Sequence, residues 1–351
     1  MSHLLLLRKI LSGTQSINFE QEWALLGKDD NPAILVYGDT LSAAVLKCPN
    51  IVPANLVEYY YGILGLKKGS FPNIETLFSH APLLLSGIDH LNARKIFAKK
   101  YKAIEKGLIH WLPQFTMQFI QSHLASSDPV QIALDYVNAV FRNIAARDLA
   151  IKESDIPIFP ERFMTLYPDK DRLTKIEEHL ADLRLFYENR LKELGRDPND
   201  AQMLMTINVV GGEPLEAALC YGLMNLSEYQ LNWDARTLFH NAVPVNFFGR
   251  IANEDVCING INFKKGQEVF TCPGLIHQHV SHHCPHSETS YSFGKGLHLC
   301  LGQGISIEIA NCFFPELARQ KIQFDKLENT MKFVRDNINL RIKKEKIHDA
   351  R

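Results

Sequence analysis

Ten residues near the C-terminal end constrain this chain most: Phe293-Gly-Lys-Gly-Leu-His-Leu-Cys-Leu-Gly302. Two glycines flank Lys295, so the backbone can take a tight turn that a Cβ would resist. His298 and Cys300 follow two residues apart, and Gly302 closes the run. Residues 303–314 then carry apolar side chains at roughly helical spacing.

A cysteine at the end of a Gly-rich loop that opens a helix lies close to backbone N–H groups and the positive helix end. Both favour thiolate over thiol, and a thiolate there is a good axial ligand for haem iron. The spacing resembles the haem-binding loop of the cytochromes P450, F-G-x-G-x-H-x-C-x-G. Phe293, Gly294, Gly296, His298, Cys300 and Gly302 all fall on its fixed positions. The resemblance extends from about Ala33 to about Arg341. It implies a mainly α fold with small β-sheets, a cytochrome P450-like fold built as one domain over 1–351. It also implies haem b (iron protoporphyrin IX) as cofactor, with Cys300 as the axial iron ligand.

Composition narrows the setting. The chain is 46% hydrophobic and 22% charged, with a net charge of −1. That gives no overall pull toward nucleic acid or an anionic membrane. Seven cysteines, at 48, 220, 257, 272, 284, 300 and 312, follow no framework spacing, which reads as a reducing compartment. The opening Met1-Ser-His-Leu-Leu-Leu-Leu-Arg8 is too short to span a bilayer and lacks a signal-cleavage pattern. The expectation is a cytoplasmic protein of the bacterial type.

Residues 33–37 read as a strand, Gly38-Asp-Thr40 offers an N-cap, and 41–47 read as a helix. Together they are similar to the last N-terminal strand and B helix of the family, with fewer residues ahead of them. The aromatic run Tyr59-Tyr-Tyr61 reads as packing. His90 and Arg94 are four apart and share a helix face. They resemble the C-helix H-x-x-x-R, whose two cations face the haem propionates through charge-assisted hydrogen bonds. Two apolar-periodic stretches within 108–149 read as helices. Residues 173–194 form an amphipathic helix, with Leu180, Leu183, Tyr187, Leu191 and Leu194 on one stripe and Gly195 as terminator.

The apolar segment 203–219, interrupted by Gly-Gly, resembles the I helix that crosses the haem. The family motif is A-G-x-[DE]-T; this chain has Val210-Gly211-Gly212-Glu213-Pro214. The resemblance makes Gly211, Gly212, Glu213 and Pro214 the catalytic segment. The acid is retained and the alcohol is not. Proline has no hydroxyl and disrupts a helix interior, so the family's usual proton delivery is in question. The Glu-x-x-Arg of the K helix falls on Thr237 and His240, so that ion pair is missing. Asp234 and Arg236 are only two apart and cannot replace it on one face.

Residues 256–263 alternate around Asn259-Gly260, a hairpin signal. The surrounding stretch is similar to the family segment in which an arginine, here Arg250, reaches a propionate. Residues 277–286 hold five histidines and Cys284. Without C-x-x-C spacing they read as a polar loop rather than a zinc site. A final strand from Leu340 runs into a basic tail, 342–351, read as frayed.

These residues imply a haem-thiolate monooxygenase acting on a small organic substrate, free or carried on a protein or peptide. His298, His90, Arg94 and Arg250 would hold the propionates. One alternative is peroxide-dependent or non-oxygen-activating chemistry such as rearrangement or dehydration, because Pro214 replaces the threonine. Another is a degenerate protein that binds haem or a partner without turnover. No dinucleotide fingerprint follows a strand. Electrons would come from a separate, acidic, ferredoxin-like donor, for which Lys295, Arg94 and Lys95 offer a positive face. No nucleic-acid or membrane partner is expected.

Overall fold

The computed structural model describes residues 3–27, 31–123, 129–159, 168–225, 234–283, 290–320, 331–334 and 340–344. From the N-terminal side come α1 (His3–Leu11), β1 (Trp23–Leu26), β2 (Ala33–Val36), α2 (Asp39–Lys47) and β3 (Ile51–Pro53). Then follow α3 (Leu56–Leu64), α4 (Pro72–His80), α5 (Gly87–His123), α6 (Pro129–Asp148), α7 (Lys170–Glu193), α8 (Ala201–Val210), α9 (Gly212–Met224) and α10 (Ala235–Ala242). The last part holds β4 (Phe248–Ala252), β5 (Val256–Ile258), β6 (Ile261–Phe263), β7 (Glu268–Thr271), α11 (Pro273–His283), α12 (Gln303–Arg319), β8 (Met331–Val334) and β9 (Arg341–Lys344). The architecture is mainly α with small sheets, as the sequence implies.

The largest sheet has the order β1-β2-β7-β4-β3, and only the β2–β7 pair is parallel. Every residue of β2 is buried, as suits a strand paired on both sides and covered on both faces. Arg250 lies opposite Val269 on one side and Pro53 on the other, in the middle of this sheet. The β5–β6 hairpin turns at Asn259 and Gly260, whose φ values are 50° and 80°. Two positive φ values are what a two-residue hairpin turn requires.

The largest apolar cluster joins α5, α6, α9, α10 and α12. Tyr136 of α6 stacks on Phe313 of α12 at 4.8 Å. Gly222 lets α9 approach α12 closely, since a Cβ there would lie 2.3 Å from Phe314 Cζ. A second cluster joins α3, α4, α7 and α8 and takes in Tyr60 and Tyr61. These tyrosines are packing residues, as read from the sequence. Of the expected stripe Leu180, Leu183, Tyr187, Leu191 and Leu194, the first four lie in the same cluster on α7, while Leu194, just past the helix end, is exposed.

Several sequence expectations are corrected. Within Gly38-Asp-Thr40 the N-cap of α2 is Gly38, so neither Asp39 nor Thr40 supplies a side-chain cap. The His90–Arg94 segment and the first apolar stretch of 108–149 are one helix, α5, which runs on through Gly107. Pro113 is accommodated within it. The segment resembling the I helix is two helices that meet at Gly211. Pro214 falls in the first turn of α9, where a missing N–H leaves no hydrogen bond of that helix unmade. The histidine-rich run is no loop up to His283 but helix α11, with His277 and His279 buried. Cys284 and His286 lie outside the described residues, as do 345–351 of the tail. Asp234 caps α10 by accepting from the Thr237 N–H at 2.7 Å.

Candidate functional site

Local backbone bonds shape the loop before α12. The Gly294 N–H donates to the Tyr291 carbonyl (2.8 Å), the Leu299 N–H to Gly296 (3.2 Å), and the Cys300 N–H to Phe293 (2.9 Å). Gly294 and Gly296 hold φ values of 72° and 71°, which L side chains resist. Gly296 is required twice over, because a Cβ would lie 2.4 Å from the Leu46 carbonyl oxygen of α2. Gly302 caps α12 and lies between Tyr101 and the sulfur. A Cβ there would stand 3.4 Å from Tyr101 Cε1 and 3.7 Å from Cys300 Sγ.

Cys300 Sγ accepts the backbone N–H groups of Gly302 and Gln303, the opening turn of α12. The side chain keeps an accessible face. Burial by the surrounding protein pushes the thiol up, while the Gly302 N–H, the Arg94 charge and the Gln303 N–H pull it down. The geometry is that of a sulfur held as an electron-rich ligand at a helix N-terminus. Tyr101, from α5, was missed in the sequence. It falls on the His90–Arg94 face of α5, seven residues after Arg94, and its phenol is raised by burial and then by Cys300.

The four basic residues converge on this loop from three directions. His90 of α5 is 2% exposed, and its imidazole lies 4.1 Å from that of His298, centroid to centroid. Arg94 Nη2 donates to the Leu299 carbonyl at 2.7 Å. Arg250 is buried on β4, and its only hydrogen bond among the described residues is a long one, 3.5 Å to the Gly249 carbonyl. Burial brings its guanidinium down to about 10. Burial, then Arg250, His90 and Arg94, bring His298 down to about 3. Burial, then Arg94 and Arg250, lower His90.

Neither arginine meets a carboxylate among the described residues, and His90 Nε2 and His298 Nδ1 are buried there without a hydrogen-bond partner. Buried cations and orphaned imidazole nitrogens are costly unless something completes them. A soft donor ringed by four basic groups, with no acid among them, suits a ligand that joins a metal ion to two carboxylates. Iron protoporphyrin IX has that chemistry.

The segment Gly211, Gly212, Glu213 and Pro214, expected from the sequence to be catalytic, sits at the α8–α9 junction. Glu213, 9% exposed, lines a cavity of about 580 Å³ between α5, α6, α7 and the α8–α9 junction. Phe119, Asn138, Phe141, Tyr187 and Gly212 share its wall; Cys300 and the four basic residues do not. Gly211 and Gly212 face α6, where their Cβ atoms would meet Phe141 and Val137. The structure therefore groups Cys300, His298, His90, Arg94 and Arg250 in one place. Gly212 and Glu213 line the cavity. No metal-binding group of three or more His, Cys, Asp or Glu occurs among the described residues.

The positive face expected for a donor is also rearranged. Lys295 is engaged by Asp39 (3.5 Å) and lies over the Tyr291 ring at 4.0 Å, while half-buried Arg94 is engaged by the Leu299 carbonyl. Lys95 is exposed and is followed along one face of α5 by Lys99, Lys102 and Lys106, all exposed. No described helix is long and apolar enough to cross a membrane.

The sequence matches no family model and no curated protein. Solved structures resemble the fold. P450BioI, in complex with a hexadec-9Z-enoic acid ligated acyl carrier protein, has a TM-score of 0.74 at 13% identity, over 97% of this chain and 100% of that one. A structure from work on unusual cytochrome P450-like monooxygenases of microbial secondary metabolism gives 0.68 at 14% identity, over 95% and 96%. The hydroxylase HmtN of himastatin biosynthesis gives 0.64 at 15% identity, over 95% and 94%. At these identities the likeness is one of fold, and the chain has the fold of the cytochromes P450.

Proposed function

We propose that this protein is a haem-thiolate oxidoreductase of the monooxygenase type, acting on a small organic substrate. The observation that carries the reading is the placement of Cys300 Sγ under two backbone N–H groups of α12, beside basic residues that meet no acidic partner among the described residues. Haem held there would supply redox-active iron chemistry.

The chain's own residues do the rest. The Gly302 and Gln303 N–H groups and Arg94 favour thiolate at Cys300. Arg94 and Arg250 offer permanent charge to two propionates, and His90 and His298 offer hydrogen bonds that strengthen if they gain a proton. Glu213 places a buried carboxyl at the α8–α9 junction. Pro214 beside it has no hydroxyl to pass a proton on. That single difference favours a second reading, in which the same site uses peroxide or rearranges an already oxidised substrate. An acidic, ferredoxin-like donor, if the protein uses one, docks on the Lys95–Lys106 face rather than at Lys295.

The test is the absorption spectrum of the reduced protein under carbon monoxide, beside Cys300→Ser. The expected result is a strongly red-shifted Soret band that the variant loses. Feeding with peroxide, or with a reductase and dioxygen, then separates the two readings. Absence of haem, or a band indifferent to Cys300→Ser, replaces both with a non-catalytic, partner-binding protein.

A further inference from the structure

Three residues that enter the cysteine loop, Tyr291, Ser292 and Phe293, are each tied to the C-terminal half of α10 or to a side chain stacked on it. Ser292 Oγ–H donates to the Phe239 carbonyl at 2.5 Å. The Phe293 ring packs on the Phe239 ring at 4.8 Å. The Tyr291 N–H donates to His277 Nε2 at 2.9 Å, and the His277 ring stacks on His240 at 4.1 Å and 14°. Phe239 and His240 are adjacent on α10. His240 occupies the position at which the resembling family carries the arginine of its Glu-x-x-Arg. This chain lacks that ion pair, and an imidazole stack stands at the same place in the sequence.

The direction of the Tyr291 bond is fixed by chemistry. A backbone N–H only donates, so His277 Nε2 is the unprotonated nitrogen of its ring. Tyr291 N and His277 are buried, so removing the acceptor strands a donor away from water. Burial also keeps His240 low, so the ring it offers to the stack is neutral. Tyr291 is held at its other end, where its hydroxyl donates to Asp39 Oδ1 at 2.6 Å. From Tyr291 the chain needs only the Gly294 turn and the Phe293 carbonyl to place Cys300.

We propose that His277 is a positioning residue for Cys300: as neutral acceptor of the Tyr291 N–H and stacking partner of His240, it latches the cysteine loop to α10. The latch takes over the part that a buried ion pair would play. It deepens the reading of Cys300 as the working residue, and its test reads the loop both without and with haem.

The experiment compares His277→Phe, which keeps a ring for the stack but has no acceptor, with His277→Gln, which keeps an acceptor and loses the ring. Ser292→Ala, a one-atom deletion, loosens the second tether. In haem-free protein, the rate of iodoacetamide alkylation at Cys300 is followed by peptide mass spectrometry. Exposed Cys257 on β5 serves as the internal reference. The expected result for His277→Phe is about tenfold faster alkylation at Cys300, the scale of one stranded buried donor. Cys257 stays unchanged. His277→Gln recovers most of the difference, and Ser292→Ala moves Cys300 in the same direction by less. In the haem-loaded protein, the reduced carbon monoxide band broadens or moves in His277→Phe and is restored in His277→Gln. An unchanged Cys300 rate in both His277→Phe and Ser292→Ala overturns the latch. So does equal acceleration at Cys257, or a glutamine variant no better than phenylalanine. If no variant binds haem, the alkylation ratio still decides the latch, while the carbon monoxide spectrum of the parent protein decides the haem reading.

Discussion

His90 of α5 and His298 of the cysteine loop hold their imidazoles 4.1 Å apart, tilted by 34°, beside two arginines. Each histidine is lowered first by burial and then by neighbouring positive charge. The pair is thus neutral in the folded protein at pH 7, poised to respond to either acid or an anionic ligand.

The first prediction is a pH dependence of stability in haem-free protein. His298 is brought from 6.5 to about 3 on folding. Between those values the unfolded chain binds a proton that the folded chain refuses, so stability rises with pH. The contribution is fully present above about 6.5 and is lost as pH falls toward about 3. His90 acts in the same direction. The urea midpoint should fall on going from pH 7 to pH 5, and His298→Phe should flatten that slope. An unaltered slope in the variant would place the titration elsewhere.

Arg250 carries a second prediction. It is a buried guanidinium with no carboxylate partner among the described residues. Arg250→Met replaces an unpaired charge by an apolar chain of similar length. The haem-free protein should gain about 1 kcal/mol or more, read as a raised melting temperature. Haem retention in a competition with apomyoglobin should fall at the same time. Opposite signs in the two assays identify a binding residue. A loss in both would mean that Arg250 serves the fold alone.

Gly294 and Gly296 have nearly the same φ, 72° and 71°, yet their alanine variants should differ. Gly294→Ala meets nothing nearer than 3.7 Å, so only the left-handed backbone is strained, by about 1 kcal/mol. Gly296→Ala adds a clash with the Leu46 carbonyl at 2.4 Å and should cost at least about 2 kcal/mol. Paired thermal melts check the order. Equal losses would mean that α2 yields to the new methyl group.

Lys99 and Lys102 are exposed on α5, whereas Lys295 is engaged by Asp39 and Tyr291. Charge reversal of Lys99 and Lys102 together should slow reduction by an acidic ferredoxin about tenfold at low salt. The effect should shrink as ionic strength rises. Lys295→Glu should change the rate by less than about twofold. The reverse ranking would return the docking site to Lys295.

What could be read from the sequence was local. The Phe293–Gly302 loop is shaped by bonds between residues at most seven apart, so its glycines, turn and helix start were legible there. So were the β5–β6 hairpin and the stripe of α7, each fixed by near neighbours. The join of the His90–Arg94 segment to the next helix was not legible, because α5 continues through Gly107 and Pro113, which disfavour a helix locally and are overridden by tertiary packing.

The sequence by itself determined a cysteine at a helix N-terminus behind a two-glycine turn, because turn geometry and helix-end N–H groups depend on adjacent residues. Only the tertiary structure decided which distant groups surround it. It buried Arg250 in mid-sheet, brought Tyr101 near the sulfur and set His277 on His240. It also made the histidine-rich run a helix by packing His277 and His279 inward. And it turned Gly211 and Gly212 toward α6, with Glu213 lining the cavity beyond. These outcomes rest on burial between elements far apart in the chain, and no periodicity within one segment encodes which partner it meets.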